Sequence, residues 1–518
     1  MPDAVVVGAG HNALVAACYL ARSGLDVEVV ERDTVIGGAV STVERFPGYR
    51  MDRGSSAHIM IRHTGIVEDL RLDECGLEYQ DLDPWGFAPF GDAGIHFHVD
   101  LDRTCASIEA VCGARDADAY RAFVLDWSAR NLRVFEAFQG PPTPLQLGRT
   151  LWGVGRSTGL PGVELSRQFM TSGDALLDEH FDDERLKTAL AWMGAQSGPP
   201  THEVATADLV GWNTVMHLKP PGHPRGGSGM LSVALQRRLE SYGGRVRLGD
   251  GAASITSAGD RVTGVLTDSG EHLRTSIVMA GCHVLTTLEL AASPLLERAR
   301  RTVRVGNGIG MVVRLATSDL PRYPAAQADT HRALQLLAPS RQHLRRAHGE
   351  YAAGLPPTAP AVLAMTFSAF DETLAPAGKH NVTVWGQWHP YALSNGESWD
   401  AIGEREATKL VEAVDRVAPG FASSVEQMHV QTPLDLEREM GLRGGQVMHV
   451  EMAFDQMFLW RPMPELAGYR VPSPAGLYLC GASTHPGGGV FGASGRTAAA
   501  VALADRKPSL LRKVTRRA

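Results

Sequence analysis

No two of the six cysteines (Cys18, Cys75, Cys105, Cys112, Cys282, Cys480) form a C-x-x-C pair, and most lie far apart in a chain of 518 residues. That usage argues against a disulfide framework, a zinc site or a redox dithiol, and predicts core thiols in a reducing compartment. No stretch approaches the roughly 18 uninterrupted apolar residues of a membrane-spanning helix. The opening Met1-Pro2-Asp3 lacks the cationic start of a secretion signal. Positive charge is not in excess either: 50 Lys and Arg stand against 57 Asp and Glu, a formal −7, which speaks against nucleic acid as a partner. His96 and His98 alternate along a strand-like run, but no third ligand sits nearby, so no metal is expected. A cytoplasmic protein with several domains is the expectation, since one compact core does not serve a chain this long.

What is present begins at the first strand. Ala4 to Val7 is a short apolar run, Gly8-Ala9-Gly10 punctuates it, and Asn12 to Ser23 carries apolar residues at helical spacing. Gly24 closes that helix, and Val27 to Val30 forms a second strand ending in Glu31, which completes a βαβ unit. In this context Gly8, Gly10 and Ala13 fit the G-x-G-x-x-G/A fingerprint. Gly8 permits the tight turn, Gly10 lets backbone N–H groups approach a pyrophosphate, and the small Ala13 lets helix and strand pack closely. Glu31 follows Gly8 by 23 residues, where a carboxylate accepts from ribose hydroxyls and repels a 2′-phosphate. FAD or NAD is favoured over NADP.

Further along, Ala119 to Met193 is helical in pattern and suggests a cap. Asn307 to Ser318, Ala361 to Ala369 and Asn381 to Trp388 are β-rich and are followed by a polar helix from about Ser398 to Val417, which predicts an antiparallel sheet backed by a helix. Between them, Met230 to Ser241 is read as a helix, with strands at Arg245 to Leu248, Val262 to Thr267 and Ile277 to Ala280. Gly476 to Cys480 is a buried strand, followed by a glycine-dense turn and an Ala-rich helix from Arg496 to Ala504.

The chain resembles the flavoprotein superfamily of phytoene desaturases, carotenoid isomerases and amine oxidases. The motifs that carry the resemblance are the βαβ unit with Gly37-Gly38, the Pro-x-Gly-Gly-like segment Pro221 to Leu231, Ala252 with the strand at Arg261 to Val265, and the run Gly476 to Val490 containing His485-Pro486-Gly487-Gly488-Gly489. The last run is most similar to the branch of pyridine nucleotide-disulphide oxidoreductase domain-containing proteins. Two positions depart from the family pattern: Ala39 stands where an Arg often follows the Gly pair, and Gly481-Ala482 replaces Gly-Asp.

The resemblance implies an α/β fold, with a Rossmann-like FAD-binding domain assembled from discontinuous segments (1–75, 221–300 and 465–505). It adds an α+β substrate or cap domain (76–220 helical, 301–464 with the antiparallel sheet) and leaves a basic tail at 506–518. FAD is the implied cofactor, held by Gly8, Gly10, Ala13, Glu31, Gly37, Gly38, Ala252, Gly481, Gly487, Gly488, Gly489 and Val490. No second G-x-G-x-x-G follows a strand, so the substrate is expected to reduce the flavin directly, with oxygen or a quinone as reoxidant. The expected activity is a desaturase or dehydrogenase acting on a largely apolar, isoprenoid- or polyene-like molecule. A flavin-dependent isomerase or amine oxidase, or a non-catalytic FAD-retaining scaffold, are the alternatives. His58, His449 and His485 are candidate bases because histidine has a suitable intrinsic pKa, and Arg461 is a candidate clamp. An apolar substrate also suggests peripheral membrane contact, through Leu145 to Phe169 (Leu147, Leu151, Trp152, Val154 and Leu160 among Arg149, Arg156 and Arg167) or through the basic tail.

Overall fold

The computed structural model describes residues 1–159 and 162–506. One part of the fold is a five-stranded, wholly parallel sheet. Ala4–Val7 lies at its centre, flanked on one side by Val27–Val30 and Arg245–Arg247 and on the other by Val278–Ala280 and Leu477–Leu479. The strands are drawn from three separate stretches of the chain. Both faces of such a sheet are covered, and so its strands read as unbroken apolar runs; all four residues of Ala4–Val7 are buried. Helices His11–Arg22, Met230–Ser241 and Ala493–Arg506 pack together over it. The last helix crosses the first at Gly495, where a Cβ would stand 1.9 Å from the Asn12 carbonyl oxygen, so only glycine permits that approach.

A second, seven-stranded sheet has the order Val425–Gln431, Gly310–Thr317, His380–Gln387, Val362–Met365, Leu334–Leu337, Gly86–Phe90, Ala93–Phe97. Its two faces have different partners. On the strand Gly310–Thr317, Met311, Val313 and Leu315 pack against Trp399 and Leu410 of helix Trp399–Asp415, while Val312 and Arg314 face the other way, onto an internal cavity. The alternation follows from the period of two in any strand.

This sheet also reaches beyond the expected antiparallel sheet of 301–464 into the region 76–220 expected as a helical cap. Gly86–Phe90 and Ala93–Phe97 form a hairpin that joins the sheet, with Gly86–Phe90 running parallel to Leu334–Leu337. The hairpin is buried on both faces, Phe87 against the helix-backed core and Ala88, Ile95 and Phe97 against the helical core. It therefore shows little polar alternation beyond His96 and His98, and its pairing partner is far away in the chain. The rest of the segment is helical: Leu101–Cys112, Ala114–Phe138, Pro144–Thr158, Gly162–Met170, Gly173–His180 and Glu184–Gly194. Asp100, Thr143, Ser172 and Asp183 cap four of these helices through side-chain acceptors.

Among the described residues no helix is long and apolar enough to cross a membrane. In the segment proposed for membrane contact, Leu145 and Trp152 are exposed but Val154 is buried and packs inward, as amphipathic helix spacing dictates. Leu160 and residues 507–518 of the basic tail lie outside the described residues.

Buried histidines make the fold acid-sensitive. Burial pulls His283, His389 and His485 down from 6.5 to about 4. The unfolded chain therefore binds more protons than the native one between those values, and their contribution to stability is full above pH 6.5 and lost as pH falls toward 4. Each such group contributes a slope of up to about 1.4 kcal/mol per pH unit. Thermal melting followed from pH 7 down to pH 4.5 is expected to fall steeply before the carboxylates titrate; a flat profile over that range would contradict this assignment.

Candidate functional site

A cavity of about 780 Å³ runs from the C-terminal ends of the parallel strands to the inner face of the second sheet. The position follows the general rule for open α/β sheets, which bind ligands beyond the carboxyl ends of their strands. One end is the glycine turn. Gly8 has φ +90, a conformation that glycine adopts at no steric cost. Helix His11–Arg22 starts at Gly10 with no side-chain cap and no acidic residue in its first turn, so its leading N–H groups and the positive end of its dipole face the cavity unneutralised. His11 Nε2 and Asn12 Oδ1 are buried there without a protein partner. Gly10 has an ordinary extended backbone (φ −65, ψ 154) and nothing within 4 Å of the position a Cβ would take. The protein itself does not require glycine at that point. The space it keeps open suits a phosphate group lying against the helix N-terminus.

Glu31 closes this end from the second strand. Its carboxylate accepts from the Ala9 N–H at 2.6 Å and the Asp33 N–H at 2.9 Å, fixing the turn while keeping lone pairs for ribose hydroxyls. The Gly37-Gly38 pair brackets the turn through a bridge between Gly10 and Gly37. Of the positions expected to hold a cofactor, Gly8, Gly10, Ala13, Glu31, Gly37, Gly38, Ala252, Gly481, Gly488, Gly489 and Val490 all lie on the cavity wall. Gly487 does not. It lies behind the turn, where a Cβ would meet Met452 Sδ at 2.8 Å and the Arg461 guanidinium carbon at 3.2 Å. Ala205, His449, Phe458 and Val490 line the cavity with positive φ. Strained non-glycine backbone of this kind concentrates at functional sites.

Three of the four catalytic candidates are corrected by where their side chains point. His58 is buried, with Nδ1 at 2.8 Å from Tyr79 Oη and Nε2 at 2.8 Å from Ser228 Oγ, so both ring nitrogens are committed to structure. His485 turns between Phe138 and Phe458, with Nε2 bonded to the Ala137 carbonyl; its neighbour Pro486 is the residue on the wall. Arg461 is fully buried and donates to the backbone carbonyls of Met448, Val450, Glu451, Gln456, Ala482 and Thr484. It is a brace beneath the glycine turn rather than a substrate clamp. His449 alone of the four faces the cavity. Its Nδ1 lies 3.2 Å from Ser483 Oγ, and burial, with the nearby His283, Arg461 and His11 charges, holds its pKa well below the ordinary value. Of the metal candidates, His96 Nε2 is bonded to Thr330 Oγ1 and His98 Nδ1 to Asp83.

The far end of the cavity is apolar, with Phe135, Phe138, Trp212, Leu363, Trp385 and Phe458 among its walls. Arg314 and Asp208 also bring charge to this cavity. Arg314 donates to neutral acceptors, Thr383 Oγ1 at 2.8 Å and, at 3.3 to 3.4 Å, Ser56 Oγ, the Gly54 carbonyl and Gln431 Oε1. A cation inside the apolar run Met311 to Ala316 was the available signal. Asp208 lies on the same wall, and nothing local in the sequence marks it.

A family model described as an NAD(P)-binding Rossmann-like domain matches residues 6–70. The pyridine nucleotide-disulfide oxidoreductase domain-containing protein 2 of Rattus norvegicus is 32% identical, over 98% of this chain and 94% of that protein. A phytoene dehydrogenase of Streptomyces griseus is 29% identical, over 94% and 92%. Among solved structures, an oxidoreductase from Methanosarcina mazei superposes with a TM-score of 0.64 at 14% identity, over 97% of this chain and 99% of that one.

Proposed function

The chain belongs to the oxidoreductase family that holds pyridine nucleotide-disulfide oxidoreductase domain-containing protein 2 and phytoene dehydrogenase, and from that premise we propose that it binds FAD and oxidises a largely apolar, isoprenoid- or polyene-like substrate as a desaturase or dehydrogenase. The observation that carries this reading is the continuity of the cavity: one space joins a dinucleotide cradle to an apolar chamber. Bound FAD supplies a hydride acceptor that oxygen or a quinone then reoxidises.

The chain's own residues do the rest. Glu31 and the turn at Gly8–Gly10 fix the adenylate end. The aromatic and aliphatic walls exclude water from the reacting carbon, which protects a hydride transfer from side reactions. His449 is neutral at physiological pH and brings a ring nitrogen to the wall as the candidate base, a weak one because burial disfavours its protonated form. His449→Gln is expected to slow substrate-dependent flavin reduction about tenfold or more with FAD content unchanged; reduction at the wild-type rate would remove His449 from the chemistry.

Anaerobic mixing with candidate substrates tests the activity. Bleaching of the flavin supports oxidation, conversion without bleaching indicates isomerisation, and neither across a broad panel favours the scaffold reading. We also propose that the chamber is loaded at a lipid surface, since Leu145, Trp152 and Met170 are exposed on cap helices whose Phe169 reaches the cavity. Sedimentation with anionic vesicles is expected to bring down the protein, less so for Trp152→Asp and at high salt. Equal recovery in the supernatant with and without vesicles would sink that proposal and leave the FAD assignment standing.

A further inference from the structure

One polar feature of the chamber is built asymmetrically. Arg130, on helix Ala114–Phe138, donates through Nε and Nη2 to the carboxylate of Asp208 at 2.7 to 3.0 Å, and through Nη1 to Gln168 Oε1 at 3.0 Å. Its guanidinium also lies over the rings of Trp127 and Phe169, 4.5 and 4.3 Å from their centroids. The Arg130 side chain is 2% exposed, so it is locked and shielded. Asp208 is not shielded: 34% of its side chain is accessible, and the residue forms part of the cavity wall. Arg130 occupies Oδ1 twice and Oδ2 once, and a carboxylate offers about four acceptor sites. One partner of the ion pair is thus a fixed scaffold, and the other presents an oriented acceptor to the chamber.

We infer that this end of the chamber receives a hydrogen-bond donor on the substrate, a hydroxyl or amine attached to the apolar body, with Asp208 as its acceptor. Nearby Asn131 does not fill the free acceptor sites of Asp208, because its amide nitrogen donates to the Gly211 carbonyl and Thr214 Oγ1. Ala205, in the segment leading to Asp208, holds φ +61 on the same wall, the kind of backbone strain that persists where a site is held in place. Burial raises the Asp208 carboxyl pKa even against Arg130. A purely hydrocarbon ligand would strip water from that acceptor and leave it unpaired, and a site built to bond a polar group discriminates strongly against the analogue lacking it. An acidic ligand would set anion against anion.

The inference names the substrate class for the chamber proposed above and rests on that reading, so its test is kept separate from turnover. Geraniol, geranylamine, myrcene and geranic acid share one isoprenoid body and differ at its end. Their dissociation constants are measured on the purified holoprotein by quenching of tryptophan fluorescence, which Trp212 and Trp385 in the chamber make sensitive to occupancy, with FAD content assayed independently. Geraniol and geranylamine are expected to bind at least about tenfold more tightly than myrcene, about 1.4 kcal/mol, and geranic acid more weakly than geraniol.

Asp208→Asn keeps an oxygen for Arg130 and turns an N–H toward the chamber, so the advantage of alcohol and amine should vanish and geranic acid should gain. Asp208→Glu keeps the charge and should keep the rank order. Equal binding of geraniol and myrcene by the wild-type protein, or an unchanged ratio in Asp208→Asn, would overturn the inference. Colourless protein would instead count against the FAD reading, while the fluorescence titration would still report on Asp208.

Discussion

Gly10→Val is expected to reduce FAD binding by at least about 100-fold while leaving the protein folded. The reason is unusual for a glycine. Gly10 has backbone angles that any residue adopts, and nothing beyond its chain neighbours lies within 4 Å of its missing Cβ, so neither backbone strain nor a clash at Cβ accompanies the substitution. The branched side chain instead fills the space in front of the uncapped helix His11–Arg22, where a pyrophosphate meets the leading N–H groups. Most glycine substitutions confound folding with binding; this one separates them. The measurement is a titration of cofactor-free protein with FAD beside a thermal melt. A melt within about 2 °C of the cofactor-free wild type with no FAD uptake is the expected pair of results, since substitutions away from buried contacts cost little. Wild-type FAD uptake would place the phosphate site elsewhere.

Arg461→Met is expected to have the largest effect on stability. The guanidinium satisfies six carbonyl oxygens from two segments, Met448 to Gln456 and Ala482 to Thr484. Both segments contribute to the cavity wall. Leaving a buried acceptor without a donor costs about 1–3 kcal/mol, and several would be orphaned together in a region closed to water. The charge has no carboxylate partner within 4 Å among the described residues, and burial lowers its pKa to about 9, which still leaves it protonated at neutral pH. The expected outcome is a fall in melting temperature of more than about 10 °C, or loss of soluble protein. Arg461→Lys is expected to rescue little, because an ammonium carries three donors and not a planar fork of five. A stable Arg461→Met protein that keeps FAD and loses only turnover would restore the substrate-clamp role.

These two residues also show what the sequence makes legible. The turn from Gly8 to Ala13, the strand Val27–Val30 and the helix Met230–Ser241 are visible because each is a local pattern, a period of two or of 3.6 closed by glycine. Glu31 is visible because its distance from Gly8 is set by one βαβ unit. Side-chain direction carries no such signature. His485 and Pro486 are adjacent in the C-terminal motif, yet the proline lines the cavity and the histidine turns away into Phe138 and Phe458. His58 and Arg461 stand beside segments that reach the cavity, but their polar atoms are spent on the scaffold. Of the hairpin Gly86–Phe97, the strand-like run at His96 is legible but its place in the sheet is not, because it is buried on both faces and pairs with a strand far along the chain. Asp208 becomes notable only when Arg130, 78 residues earlier, is seen to leave one side of it open.

The central claim is that the glycine turn, Glu31 and the apolar chamber together form one flavin site. It is tested most directly by denaturing the purified protein and identifying what it releases. The account predicts yellow protein that liberates FAD, close to one per chain, and neither FMN, which lacks the adenylate that the turn and Glu31 grip, nor NAD, which shares that adenylate but would leave the protein colourless. Colourless protein that takes up no FAD on incubation, or protein that releases FMN, would contradict it.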